Sequence, residues 1–94
     1  MSPINRFTLN GHVAVVTGAG RGIGEGIARD FASVGATVVL AARRENEIKA
    51  VADAINQSGG RAVAVPTDVT DNSALENLAE TAITEFGVLT DWIN

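Results

Sequence analysis

Four glycines, Gly18, Gly20, Gly22 and Gly24, fall within the seven residues "GAGRGIG". Glycines at alternate positions allow φ > 0 turns and let an anion approach the backbone with no Cβ in the way. If this segment joins a strand to a helix, its N–H groups and the positive helix end can hold a pyrophosphate. The spacing is not G-x-G-x-x-G: the sixth position from Gly18 is Ile23, from Gly20 Glu25 and from Gly22 Ile27. It is not a P-loop either, which ends in Gly-Lys-Ser/Thr, because the one lysine is Lys49. What does fit is T-G-x-x-x-G-x-G over Thr17, Gly18, Gly22 and Gly24. A tight turn packed with glycine for its own sake is the simpler alternative, but four glycines exceed what one turn uses.

A second group is the pair Arg43 and Arg44 in "LAARRENE". Two guanidiniums can fork onto a phosphate, and such charge-assisted bonds are stronger than neutral ones. Arg21, in the glycine loop, could add a third cation. A cation at a helix start is mildly unfavourable against the helix dipole, which argues for another purpose. Glu45 and Glu47 follow closely enough to tie up one arginine. Other side chains suggest less. His12, the one histidine, reads as a surface or edge residue, and Trp92 as core of the last strand. The acids from Asp71 to Glu85 read as a solvated helix face without metal-ligand spacing.

These groups need elements to position them. His12 to Thr17, "HVAVVT", is a short β-branched run that reads as a buried strand. Ile23, Ile27, Phe31 and Val34 then repeat at helical spacing, with Gly35 as a stop. A second buried strand spans Ala36 to Ala42. Ile48, Val51, Ala52 and Ile55 make an i, i+3, i+4, i+7 stripe that ends at Ser58 to Gly60. Arg61 to Val69 is a third strand, with Pro66 near its end. Thr70 and Asp71 are candidate N-caps of a third helix, and Ser73 with Glu76 has capping-box spacing. Leu75, Leu78, Ala79, Ala82, Ile83 and Phe86 form its apolar face, and Gly87 ends it. Val88 to Asn94 is a fourth strand. The order β-α-β-α-β-α-β with uniformly apolar strands predicts an α/β fold. It is the first half of a Rossmann-like, doubly wound parallel sheet.

Composition bounds the rest. At 94 residues the chain is one small domain. A formal net charge of −4 argues against an electrostatic grip on nucleic acid or an anionic membrane. With no cysteine there is no disulfide framework or thiolate metal site, and no metal ligands are assigned. The opening "MSPINRFTLNGHV" lacks the regions of a signal peptide, and no apolar run would span a bilayer. The expectation is a soluble cytoplasmic protein.

On three segments the chain resembles the short-chain dehydrogenases/reductases. "NGHVAVVTGAGRGIGEGIA" is similar to that family's opening, "TDV" (Thr67 to Val69) to the end of its third strand, and "FGVLTDWIN" to its "F-G-x-L-D-x-x-V-N-N-A-G". Thr90 stands where that pattern often has aspartate. The resemblance implies an NAD(P)-binding half. Gly18, Arg21, Gly22, Ile23 and Gly24 would wrap the pyrophosphate and adenosine side. Asp68 would bond the adenine amino group, with Val69 packed beside it, and Asn94 would lie along the adenosine ribose.

The end of the second strand bears on the cofactor. An acidic residue there accepts from a ribose 2′-hydroxyl, but that position is Ala42, followed by Arg43 and Arg44. The expected cofactor is therefore NADP, with NAD second. The resemblance implies hydride transfer between nicotinamide and a ketone or secondary alcohol, with a serine, a Tyr-x-x-x-Lys pair and a relay asparagine. The chain has no tyrosine, so that set is not here, and no catalytic residue is assigned. The expectation is residues 1–94 as one partial domain cut in mid-strand ahead of its catalytic half, from a homotetrameric parent. A non-catalytic NADP-binding module is the alternative. An S-adenosylmethionine site is a weaker one, because that ligand has no phosphate for the arginines.

Overall fold

The computed structural model describes residues 8–94. Residues 1–7, which carry much of the segment read as lacking a signal peptide, lie outside the described residues. The elements are β1 (Val13–Thr17), α1 (Gly22–Ser33), β2 (Thr37–Ala42), α2 (Glu45–Gln57), β3 (Arg61–Pro66), α3 (Asn72–Phe86) and β4 (Asp91–Ile93).

The four strands form one parallel sheet in the order β3-β2-β1-β4. Alternate strand residues point to opposite faces, and each face is covered. Ala14, Val16, Val38 and Leu40 meet Ala28 and Ala32 of α1 and Ile48, Val51, Ala52 and Ile55 of α2. Val13, Val15, Val39 and Ala41 meet Leu78 and Ala82 of α3. That two-sided burial is why the strands read as unbroken apolar runs. β1 lies at the middle, with the chain winding outward to β2 and β3 on one side and crossing back to β4 on the other. The crevice outside the carboxyl ends of the strands at such a reversal is where these sheets bind ligands.

Five local expectations need correction, and the first is β3, which ends at Pro66 rather than running to Val69. The α1 stripe is core only in part: Ile27 and Phe31 pack against the buried cluster beside Ala28 and Ala32, whereas Ile23 is 84% exposed. Small side chains let the helix lie close on the sheet. The capping box on Ser73 does not start α3. Asp71, one of the two expected N-caps, is its N-cap, accepting from the Ser73 N–H at 2.9 Å. The final strand is Asp91–Ile93 rather than Val88 to Asn94. Trp92, expected in the core, is 38% exposed among the described residues, on a strand that pairs there with β1 alone. No described helix is long and apolar enough to cross a membrane.

Candidate functional site

Parallel strands put their carboxyl ends on one edge, and the expected site residues sit there. Thr17 ends β1, and the glycine loop runs from it into α1. Gly18 and Gly22 both take φ of +65°, a left-handed conformation that suits glycine, and open space lies where a Cβ would stand. At Gly24 the demand is packing: a Cβ there would overlap the Gly18 carbonyl and press on Ala19 Cα. Glycine therefore lets α1 start directly against its own loop. Arg21 is the N-cap of α1 and makes no side-chain capping bond, so the N–H groups of the first turn stay open to an anion.

Arg43 and Arg44 follow β2, whose last residue is Ala42. A cavity of about 200 Å³ lies between them and the loop. Gly18, Gly20 and Arg21 form one wall; Ala42, Arg43, Arg44 and Glu47 form the other. The loop and the arginine pair, well separated in sequence, therefore address one space. Glu47 Oε2 lies 3.6 Å from Arg44 Nη1, so a glutamate of α2 does engage one arginine. Glu47 and Gly20 are site residues that motif spacing alone did not single out. The i, i+3 relation of Arg44 to Glu47 was the available signal.

The remaining expected residues share the edge but do not line this cavity. Gly22, Ile23 and Gly24 form the first turn of α1. Asp68 lies beyond β3, where its Oδ1 accepts from Thr70 N at 3.0 Å and Thr70 Oγ1 at 2.6 Å. Those bonds, the hydroxyl's foremost, hold its carboxyl below the usual aspartate value, and Arg43 adds a smaller pull the same way. Val69 is exposed beside it. Asn94 follows β4, its Oδ1 accepting from Thr17 Oγ1 at 3.3 Å and from Trp92 Nε1 at 3.0 Å. Among the described residues no cluster of three or more His, Asp or Glu could hold a metal ion.

A larger cavity, about 480 Å³, lies at the opposite end of the sheet among Gly35, Gly60 and Arg61. It faces the C-terminal ends of α1 and α2, whose carbonyls repel an anion, whereas the glycine-loop edge faces a helix N-terminus, which attracts one.

A family model for the short chain dehydrogenases matches residues 12–94. The chain is 41% identical over 90 residues to 7alpha-hydroxysteroid dehydrogenase of Escherichia coli (strain K12), covering 96% of this chain. A solved 7alpha-hydroxysteroid dehydrogenase complexed with NADH and 7-oxo glycochenodeoxycholic acid superposes with a TM-score of 0.92 at 38% identity over 100% of this chain. A metagenomic short-chain oxidoreductase in complex with NADP gives 0.85 at 40% identity over 89%. The chain spans 35%, 37% and 38% of these three relatives' lengths, respectively. With its glycine spacing, its sheet order and a family match running from residue 12 to residue 94, this chain belongs to the short-chain dehydrogenase family.

Proposed function

We propose that the chain forms the cofactor-binding part of an NADP-dependent oxidoreductase that moves a hydride between nicotinamide and a ketone or secondary alcohol. The observation that carries this reading is the meeting of Gly18, Arg21, Arg43 and Arg44 around one cavity beyond β1 and β2. The residues suit such a group. Loop N–H groups at an uncapped helix start match a pyrophosphate, and guanidiniums match a 2′-phosphate. Open space at Gly18 and Gly22 leaves the backbone reachable.

When bound, the nicotinamide supplies or takes the hydride. The chain's own residues bind and orient. Gly18, Gly22, Ile23 and Gly24 wrap the pyrophosphate side, and Arg21, Arg43 and Arg44 take the 2′-phosphate. Asp68 accepts from the adenine amino group beside Val69, and Asn94 lies along the ribose. That one solved relative carries NADP and another NADH supports a nicotinamide cofactor of either kind. The family resemblance assigns proton transfer at the carbonyl to a tyrosine and a lysine, and these 94 residues contain no tyrosine. A cytoplasmic, homotetrameric parent acting on a small carbonyl compound or alcohol completes the proposal and rests on the family resemblance.

A second reading, a non-catalytic NADP-binding module, is favoured by one observation: the chain has no tyrosine, and its one lysine, Lys49, is exposed on α2. Titration calorimetry of the intact gene product with NADPH and NADH, on wild type and Arg43→Ala, tests the cofactor. NADPH is expected to bind tighter, with the gap closing in the variant. Equal NADPH affinity in both proteins would sink the phosphate clamp. NADPH oxidation with a panel of ketones separates enzyme from binder.

A further inference from the structure

α2 opens with two glutamates next to the arginine pair, and they differ in placement. Glu45 is exposed and does not line the cavity. Glu47 turns back toward the loop. Its Cβ and Oε1 each lie 3.0 Å from where Gly20 would carry a Cβ. Its side chain is 26% exposed against 68% for Arg44. Only a glycine at position 20 lets this carboxylate reach the wall of the cavity without displacement.

We infer that Glu47 sets how steeply this corner discriminates between NADP and NAD: its carboxylate opposes a 2′-phosphate and accepts from a free ribose 2′-hydroxyl. The inference rests on the nicotinamide reading above. Ala42, at the end of β2, has no side-chain acceptor, so an acceptor for that hydroxyl has to come from elsewhere on the wall. Glu47 is the carboxylate that lines it.

The alternative role, holding Arg44 ready for a phosphate, needs a tight pair. At 3.6 Å the Arg44–Glu47 separation exceeds the roughly 2.7–2.9 Å of a charge-assisted hydrogen bond. Exposed pairs of this kind fix side chains poorly. Glu47 therefore adds negative charge beside Arg44 without locking it. A phosphate entering the cavity meets that charge at short range, where it is little screened. A hydroxyl entering the same space donates to it. Specificity is a difference of two affinities, and one carboxylate moves both in opposite senses.

The test compares Glu47→Gln with Glu45→Gln, each in the intact gene product, by calorimetric titration with NADPH and NADH. Both variants lose the same charge from the first turn of α2. Glu47→Gln is expected to raise the NADPH-to-NADH affinity ratio about fivefold, in keeping with one loosely held charge, while Glu45→Gln leaves it within about twofold. A ratio that stays or falls in Glu47→Gln, or an equal rise in Glu45→Gln, overturns the role of Glu47. Tight NADPH binding in those same proteins would leave the cofactor reading standing. A wild-type protein that binds neither dinucleotide overturns both.

Discussion

His12 and Asp91, 79 positions apart in sequence, meet at 2.8 Å between the imidazole Nδ1 and the carboxylate Oδ2. The contact links the residue before β1 to the first residue of β4, at the end of the sheet away from the glycine loop. Thr90 Oγ1 donates to the same carboxylate oxygen at 2.8 Å, and the Val13 N–H donates to Thr90 Oγ1 at 2.9 Å. β4 is three residues long and pairs with β1 alone among the described residues, so this cluster is a second fastening for the strand.

The clasp is expected to be acid-labile. The bond from His12, and then that from Thr90, holds the Asp91 carboxyl below its usual value. A lowered folded-state pKa means that the unfolded chain takes up the proton first as pH falls. The contribution is therefore complete above the ordinary aspartate value of about 3.9 and is lost as pH falls through the lower folded value. The two side chains are 42% and 32% exposed, so the gain stays below about 1 kcal/mol. Asp91→Asn should lower the urea midpoint near neutral pH, and by less in acid below the ordinary aspartate value. The same deficit at both pH values would remove the ionic account.

Two glycines of α1 should respond to alanine with opposite signs. At Gly24 a Cβ overlaps the Gly18 carbonyl, whereas at Gly26 nothing lies within 4 Å. Gly24→Ala forces helix and loop apart and is expected to cost about 1–3 kcal/mol, as overpacking does. Gly26→Ala is expected to stabilise by about 0.5–1 kcal/mol, because a helix interior prefers alanine. Thermal melts of the two variants read this directly. Equal destabilisation by both would mean that the close approach at Gly24 is not what demands a glycine.

Ile23 separates binding from packing. It is 84% exposed at the start of α1, so it adds little to the core. Ile23→Ser should change stability by no more than about 0.5 kcal/mol. The proposed site puts the same side chain against the dinucleotide, so NADPH affinity should fall about threefold to tenfold, in keeping with a smaller apolar area buried on binding. A variant that melts like a core substitution would contradict the exposed placement. One that binds NADPH normally would take Ile23 out of the site.

How far the sequence carries depends on what each residue packs against. The α2 stripe of Ile48, Val51, Ala52 and Ile55 was legible because all four residues are buried on one broad face. α1 misled only at its first turn: Ile27 and Phe31 do pack on the core beside Ala28 and Ala32, but Ile23, on the same helical repeat, is exposed at the helix start. The glycine loop, the arginine pair and their shared corner were legible, since parallel strands bring successive loops to one edge. That Glu45 or Glu47 would engage an arginine was legible too. Which of the two, and that it would lie against Gly20, was not, because that contact joins α2 to a loop far earlier in the chain. Trp92 looked like core because hydrophobicity does not record how many neighbours a strand has.

Arg43 and Arg44 look interchangeable in sequence, yet their surroundings predict unequal roles. Arg44 shares its charge with Glu47 at 3.6 Å. The acid near Arg43 is Asp68, which is already engaged by Thr70 through both its hydroxyl and its backbone N–H. Arg43 makes no ion pair among the described residues, so it has more of its charge to give a 2′-phosphate. Arg43→Ala should weaken NADPH binding about tenfold or more, and Arg44→Ala only about twofold to threefold, in keeping with a strong and a compensated phosphate contact. NADH binding should change little in either variant, because that ligand lacks the phosphate. Raising salt should shrink the NADPH effect of Arg43→Ala, since the contact is ionic and partly open to solvent. Fluorescence titration at two salt concentrations measures all of this on the same samples. A larger loss from Arg44→Ala than from Arg43→Ala would mean that Glu47 holds Arg44 in place for the phosphate rather than opposing it.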